Sequence, residues 1–291
     1  MRTSFRFLLT RLIIVLMLLP GTATVSHAQE VNLVTSSETY TVANHMGCST
    51  CNDCKSLNIR FTPYGWLTQQ HGDLTIRDRT ADVSVNFGKT WDLIWNDLNF
   101  MFLGQLEGNY GRAGFIINGI YSDFSPGTEV ARLNFNGNMR QTILDTVLTY
   151  ELDILPHWLG ACSGARLEAL AGVRYNCLTA NVTLTRADGA TATGSGHQDW
   201  FDPIIGGRYR LPLGDCLAFQ ARADVGGFNW GEASQFTWNI ELTAEYKWSD
   251  RLSLMAGYRW LDIDRESGQG SMRFGYDINL NGPIMGLIFS F

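Results

Sequence analysis

The densest group of reactive side chains is Cys48-Ser-Thr-Cys51-Asn-Asp-Cys54, with His45 three positions ahead. Thiolate and imidazole are preferred zinc ligands, and Cys-x-x-Cys is half of many such sites. Covalent haem attachment would need His directly after the second cysteine, but Asn52 follows Cys51 and Lys55 follows Cys54. Cys162, Cys177 and Cys216 bring the count to six. In an exported chain that set points first to structural disulfides and second to a metal. A bridge between Cys162 and Cys216, near strand ends two strands apart, is one expected pairing. A second constellation is Ser195-Gly-His197 beside Asp199, which could be read as nucleophile, base and orienter. Such triples arise often by chance in polar loops. No Gly-x-Ser-x-Gly elbow, His-Glu-x-x-His or phosphate loop accompanies it. No catalytic residue, resident metal or cofactor is therefore assigned, and enzymatic activity is an open alternative.

Residues 1–28 decide the compartment. Arg2, Arg6 and Arg11 form a basic end, Leu8 to Leu19 an apolar run, and Ser26-His27-Ala28 a cleavage site, which together read as a secretory signal. The run falls short of the ~20 apolar residues a membrane-spanning helix needs. Removing these three arginines from 22 basic residues leaves 19 against 28 acidic ones, a formal charge of −9. That balance argues against a nucleic-acid partner, which calls for clustered positive charge. Residues 29–56 then form an N-terminal periplasmic or lumen-plugging segment with the cysteine cluster, and 57–291 the main body.

The elements that would position any site are strands. In Phe236 to Lys247, Phe236, Trp238, Ile240, Leu242, Ala244 and Tyr246 face one way, and Thr237, Asn239, Glu241, Thr243, Glu245 and Lys247 the other. An alternation this long, with aromatics at both ends of its apolar face, suits a strand crossing lipid between two aromatic girdles. The same rule orders Leu217–Val225, Leu252–Trp260, Leu167–Tyr175, Pro203–Leu211, Leu144–Leu152, Phe100–Glu107 and Phe115–Tyr121. A mean hydropathy of −0.06 is compatible with this, because every second residue is lumen-facing.

Connections alternate in length. Asn109–Arg112, Pro212–Asp215 and Trp248–Arg251 are tight turns, whereas Ser122–Met139, Arg186–Gln198, Asn229–Gln235 and Asp264–Arg273 read as longer polar loops. Leu155–Gly164 is an exception that could form a small helical cap. The reading is all-β: a single-chain antiparallel transmembrane barrel with strands near 57–67, 98–107, 113–122, 140–152, 165–178, 199–211, 216–228, 236–247, 252–263 and 275–291. Ten strands is the expectation, within a range of eight to twelve. Residues 68–97 leave room for a further hairpin and, from Thr90, a helical turn or two.

On this assignment Glu107, Asp145, Glu151, Arg166, Glu168, Arg174, Asp202, Arg208, Arg210, Arg222, Asp224, Glu241, Glu245 and Arg259 face the lumen. Charges in a narrow interior must be paired, and a ring of them would set the selectivity of a passage. Barrels of ~8 strands are filled by side chains and open channels need ~16–18, so ten predicts a plugged or narrow lumen. The readings are a structural barrel or a narrow passage for small polar solutes, with a barrel enzyme or ligand- or surface-partner-binding barrel as the alternative. A soluble binder would need the alternation inverted. The solute is not specified by any of these residues.

The ending Gly286-Leu-Ile-Phe289-Ser-Phe291 resembles the C-terminal signal read by the machinery that assembles outer-membrane barrels. Together with Tyr64–Phe87, Trp200–Leu211 and Ala256–Asp264, it is similar to the porin-like Gram-negative outer-membrane β-barrel proteins. The resemblance implies the outer membrane as location, its lipids and the assembly machinery as partners, and Gly286, Phe289 and Phe291 as the assembly signal. It carries no catalytic residue.

Overall fold

A computed structural model describes residues 57–76, 79–125, 127–130, 133–153, 164–185 and 191–291. The expectations placed on 1–56, the signal and Cys48, Cys51 and Cys54 among them, lie outside this set, as do Cys162 and the cap expected within 155–164.

Among the described residues thirteen strands and one α-helix follow one another: β1 (Leu57–Trp66), β2 (Gln69–Ile76), β3 (Arg79–Val85), α1 (Phe87–Asn96), β4 (Leu98–Tyr110), β5 (Ala113–Phe124), β6 (Gly127–Val130), β7 (Leu133–Leu152), β8 (Arg166–Thr185), β9 (Thr191–Leu213), β10 (Leu217–Gly226), β11 (Phe236–Lys247), β12 (Leu252–Ser267) and β13 (Phe274–Ser290). All pairs are antiparallel, in the order β1-β4-β5-β7-β8-β9-β10-β11-β12-β13, and β1 pairs β13 to close a ten-stranded barrel. The hairpin β2–β3 extends the wall beyond β1 by pairing with β13, and β6 folds back on β7. Among the described residues no helix is long and apolar enough to cross a membrane; there, crossing falls to the strands.

Side-chain parity sorts the wall into two faces. Leu242 is 48% exposed on the outside, while Glu241 and Arg259 are 7% and 1% exposed inside. Phe100, Phe102, Leu106, Ile117, Leu148, Tyr150, Phe201, Ile205, Phe219, Phe236, Ile240, Tyr246, Leu254 and Met285 continue the outer apolar surface from strand to strand. An apolar band this continuous on a folded chain marks a lipid or interaction surface. Along β4 it runs from Phe100 to Tyr110, roughly 25 Å of height at the tilt usual for such barrels.

Several strands outrun the expected spans. β7 and β8 have 20 residues each and β9 has 23, against the ~9–11 that cross a bilayer. Of the stretches read from sequence as loops, 122–124, 127–130, 133–139 and 191–198 are strand, whereas of 264–273 only Asp264–Ser267 is, with a 3-10 turn at Gly270–Met272 before the closing strand. Past the aromatic girdle the outer face is polar, so the alternation expected of a lipid-facing strand disappears while the ladder continues. On β12, outward Leu254, Ala256, Tyr258 and Trp260 give way to Asp262, Asp264 and Glu266, and inward Ser253 and Arg259 give way to Leu261 and Ile263.

The closing strand is fitted closely to its partner. Phe289 lies opposite Phe61, and the Phe291 amide donates to the Ile59 carbonyl at 2.9 Å. Gly286 lies opposite Tyr64, and a Cβ there would sit 2.8 Å from the Tyr64 Cβ and 2.9 Å from the Pro63 oxygen. A glycine at 286 therefore leaves Tyr64 its place in the lumen. Helix α1 starts where the Asn86 side chain accepts from the Lys89 amide at 3.0 Å, an N-cap. It is pinned where the Thr90 hydroxyl donates to the Thr68 carbonyl at 2.6 Å.

Candidate functional site: the filled lumen

The lumen is stratified, and each layer follows from what inward positions carry at that height. Nearest the short turns, Arg60 and Arg210 both reach one oxygen of Glu245, at 2.6 and 2.7 Å. Beside them Arg208 bridges Glu107 at 2.7 Å and Glu168 at 2.6 Å. A small cleft that opens to solvent lies here, bordered by Arg60, Tyr64, Gln105, Gln220, Glu241 and Glu245.

Above this vestibule a hydrogen-bonded network crosses the barrel. Arg174 from β8 is fully buried. It donates to both Asp145 oxygens of β7, at 2.7 and 3.2 Å, to Asp224 of β10 at 2.9 Å and to the Thr237 hydroxyl of β11 at 3.1 Å. Arg222 reaches Asp224 at 3.0 Å and Asp145 at 3.4 Å. Asn239 donates to Asp224 at 2.9 Å and accepts from Arg259 at 2.7 Å. Arg259 also points at the Tyr64 hydroxyl and Asn118, and its guanidinium lies 5.0 Å from the Trp66 ring centre. Asp145 thus faces three guanidinium groups, which offsets much of the cost of taking these charges out of water.

Charge balances across the two layers. Arg60, Arg174, Arg208, Arg210, Arg222 and Arg259 oppose Glu107, Asp145, Glu168, Asp224, Glu241 and Glu245. Glu241 takes part without direct contact: it lies in register between Arg222 and Arg259, with neither within ion-pair distance, and borders the vestibule.

Higher still the interior turns apolar. Trp66, Leu103, Ile120, Ile143, Leu178, Leu261, Ile263, Tyr276, Ile278 and Leu280 form one buried cluster with Trp200. A smaller group, Ile116, Val147, Leu170 and Ile204, packs beside the network. Asp202 sits at the upper boundary and is held by neutral donors: the Ser234 amide at 2.6 Å, the Ser234 hydroxyl at 2.9 Å, Asn176 at 2.8 Å and the Trp200 indole at 3.0 Å. Pairing of every lumen charge is therefore not what holds Asp202. The grip closes the loop after β10, where Phe228 and Asn229 both adopt positive φ.

The remaining expected residues lie elsewhere. Glu151 is half-buried and Arg166 is exposed at the short-turn rim, in register with Arg210. Cys177 and Cys216 carry free thiols, so no bridge joins the two cysteines among the described residues. Ser195, His197 and Asp199 lie exposed on the upper part of β9. The His197 Nδ1 meets the Thr179 hydroxyl at 2.9 Å and its Nε2 lies 3.7 Å from Asp199. Both ring nitrogens face other groups, and Ser195 has no base.

Sequence reasoning missed Arg60, Tyr64, Trp66 and Trp200. Parity alone would have placed Trp200 inside, two residues before Asp202.

These features define an antiparallel β-barrel with lipid outside and a filled polar-to-apolar core inside, the fold of the Gram-negative outer-membrane barrels. No protein-family model matches the chain, and no curated protein matches it in sequence. Among solved structures, the outer membrane protease OmpT from Escherichia coli aligns with a TM-score of 0.51 at 9% identity, over 82% of this chain and 98% of that one. The translocator domain of the autotransporter NalP from Neisseria meningitidis gives 0.43 at 12% identity, over 82% and 90%. The transport unit of the autotransporter AIDA-I from Escherichia coli gives 0.39 at 14%, over 86% and 96%. At such identities the shared property is the fold. With its lipid-suited outer face, that fold makes this chain an integral protein of the outer membrane.

Proposed function

We propose that the chain is a structural outer-membrane barrel, closed to solutes, that carries an extended β-platform and its loops on the outer side. The observation that carries this reading is the full burial of Asp145 and Arg174 across the lumen beneath a continuous apolar layer. Water and ions would have to displace both layers to cross. The long outward halves of β7, β8 and β9 supply the platform. In the same reading, Gly286, Phe289 and Phe291 of the closing strand are what the assembly machinery recognises; the exposed Phe291 ring supports this.

A second reading, a narrow passage for small polar solutes, draws on the vestibule, which gives solutes a charged entrance at the short-turn end. Planar-bilayer recording separates the two. The refolded protein is expected to give no unitary current steps in any chloride salt, with or without reducing agent. Steps whose size follows salt concentration would overturn the closed barrel in favour of the passage.

A further inference from the structure

The barrel wall contains a seam. The β1–β4 ladder ends at Pro63↔Gly104, after which β1 stays with β13. Above that point β4 is laddered to β5 alone, and β3 has β2 as its ladder partner among the described residues. Two strand edges therefore remain, that of β3 beside the water-facing part of β13 and that of β4 at Phe100 and Phe102 in the apolar band, and the segment that runs from one to the other is α1. In hydrocarbon an open strand edge leaves backbone groups unsatisfied, whereas a helix bonds its own. A helix is the one insert that a lipid-facing wall tolerates at such a place.

The two faces of α1 agree with that position. Inward, Thr90 is buried on the Thr68 carbonyl and the Phe87 ring packs near Gly282. Outward, Trp91 and Trp95 stand one turn apart, 53% and 38% exposed, with ring centres 5.6 Å from each other. The helix leads into β4, whose outward Phe100 and Phe102 begin the apolar band. Two such exposed tryptophans facing bulk water would cost free energy. At a membrane interface, with apolar ring inward and indole N–H at the headgroups, they are favoured.

We infer that α1 is an interfacial helix that seals this seam, with the Trp91–Trp95 pair inserted among lipid at the outer boundary of the bilayer. The inference rests on the membrane-barrel reading and extends the lipid contact to an element that is not a strand. It is tested by tryptophan quenching in phosphatidylcholine vesicles carrying a phosphatidylcholine with a nitroxide near the ester end of its chain. Wild type is compared with Trp91→Phe/Trp95→Phe, and separately with Trp238→Phe on the strand band. The emission lost in the double variant should fall at least about twofold in nitroxide lipid and respond little to aqueous acrylamide. Quenching of that emission by acrylamide alone, or by neither agent because protein or a second copy covers the pair, overturns the inference. The Trp238 emission reports the membrane reading independently: if it too escapes the nitroxide, the barrel's insertion fails along with the helix. Should the double variant not refold, Trp91→Phe alone carries the same difference measurement.

Discussion

The lower and upper halves of the interior fill the same tube by opposite means. Below, Asp145, Arg174, Arg222, Asp224 and Arg259 share directed hydrogen bonds across several strands. Above, Leu261, Ile263, Ile278 and Leu280 fill it by packing. What differs is the medium outside. Where the wall meets lipid, apolar residues are used outward and the polar ones collect inside. Where it rises past the girdle into water, Asp262, Asp264, Asn279 and Asn281 turn outward and the core becomes that of an ordinary soluble protein. The sheet registers which solvent lies behind it by exchanging the character of its two faces while keeping its parity.

The comparison is broken most severely at Asp145. Asp145→Ala leaves Arg174, Arg222 and Arg259 short of a shared counter-charge and should cost about 3–5 kcal/mol, read as a lowered urea midpoint for the folded barrel in detergent. A cost below about 1 kcal/mol would mean that water enters the layer freely and that it is no plug. In the upper half, Ile263→Ala should cost about 2–4 kcal/mol through its cavity, measured the same way, and the bilayer should stay silent. Should Ile263→Ala admit current, the apolar layer rather than the ionic one is the barrier.

The smallest effect lies on the outer face of the upper half. Asp264, Asp277, Asp73 and Asp82 oppose one another in one row across β12, β13, β2 and β3, with Asp262, Glu266 and His71 nearby. Partial loss of hydration, followed by Asp262 and Asp73, holds the Asp277 carboxyl above the usual carboxylate range. Loss of hydration, then Asp277, Asp262 and Glu266, does so for Asp264. Because these folded-state values are raised, the folded edge binds protons more readily than the unfolded chain. The contribution of these two carboxyls to stability is therefore most favourable at low pH and declines as pH rises from about 3.9 through the raised values. Asp277→Asn should flatten that decline and firm the β2–β3 hairpin at neutral pH by a few tenths of a kcal/mol, since the row is largely exposed. Hydrogen exchange of the β2 amides, corrected for intrinsic rates, measures it; an unchanged pH slope in the variant would show that the row does not govern the hairpin.

How much of this could be read from residues alone follows from the same exchange of faces. Phe236 to Lys247 lies within lipid for most of its length, so its alternation was legible from end to end. Leu252 to Ser267 crosses the boundary, and its upper part loses the apolar-outward signal at Trp260 although the ladder continues. Lumen charges were legible because their parity is fixed by neighbours that must face lipid. Their partners were not: which carboxylate Arg174 meets depends on the stagger of strands far apart in sequence. Arg60 escaped notice because β1 alternates weakly around Pro63.

The pairing of β1 with β13 also has a kinetic consequence. Ile59 and Phe291 must find each other across the whole intervening chain, and until they do two unsatisfied edges face outward. Such distant closure is slow, and open edges invite pairing with the wrong neighbour. The chain is therefore most open to mispairing in the interval between the emergence of its first strand and the arrival of its last.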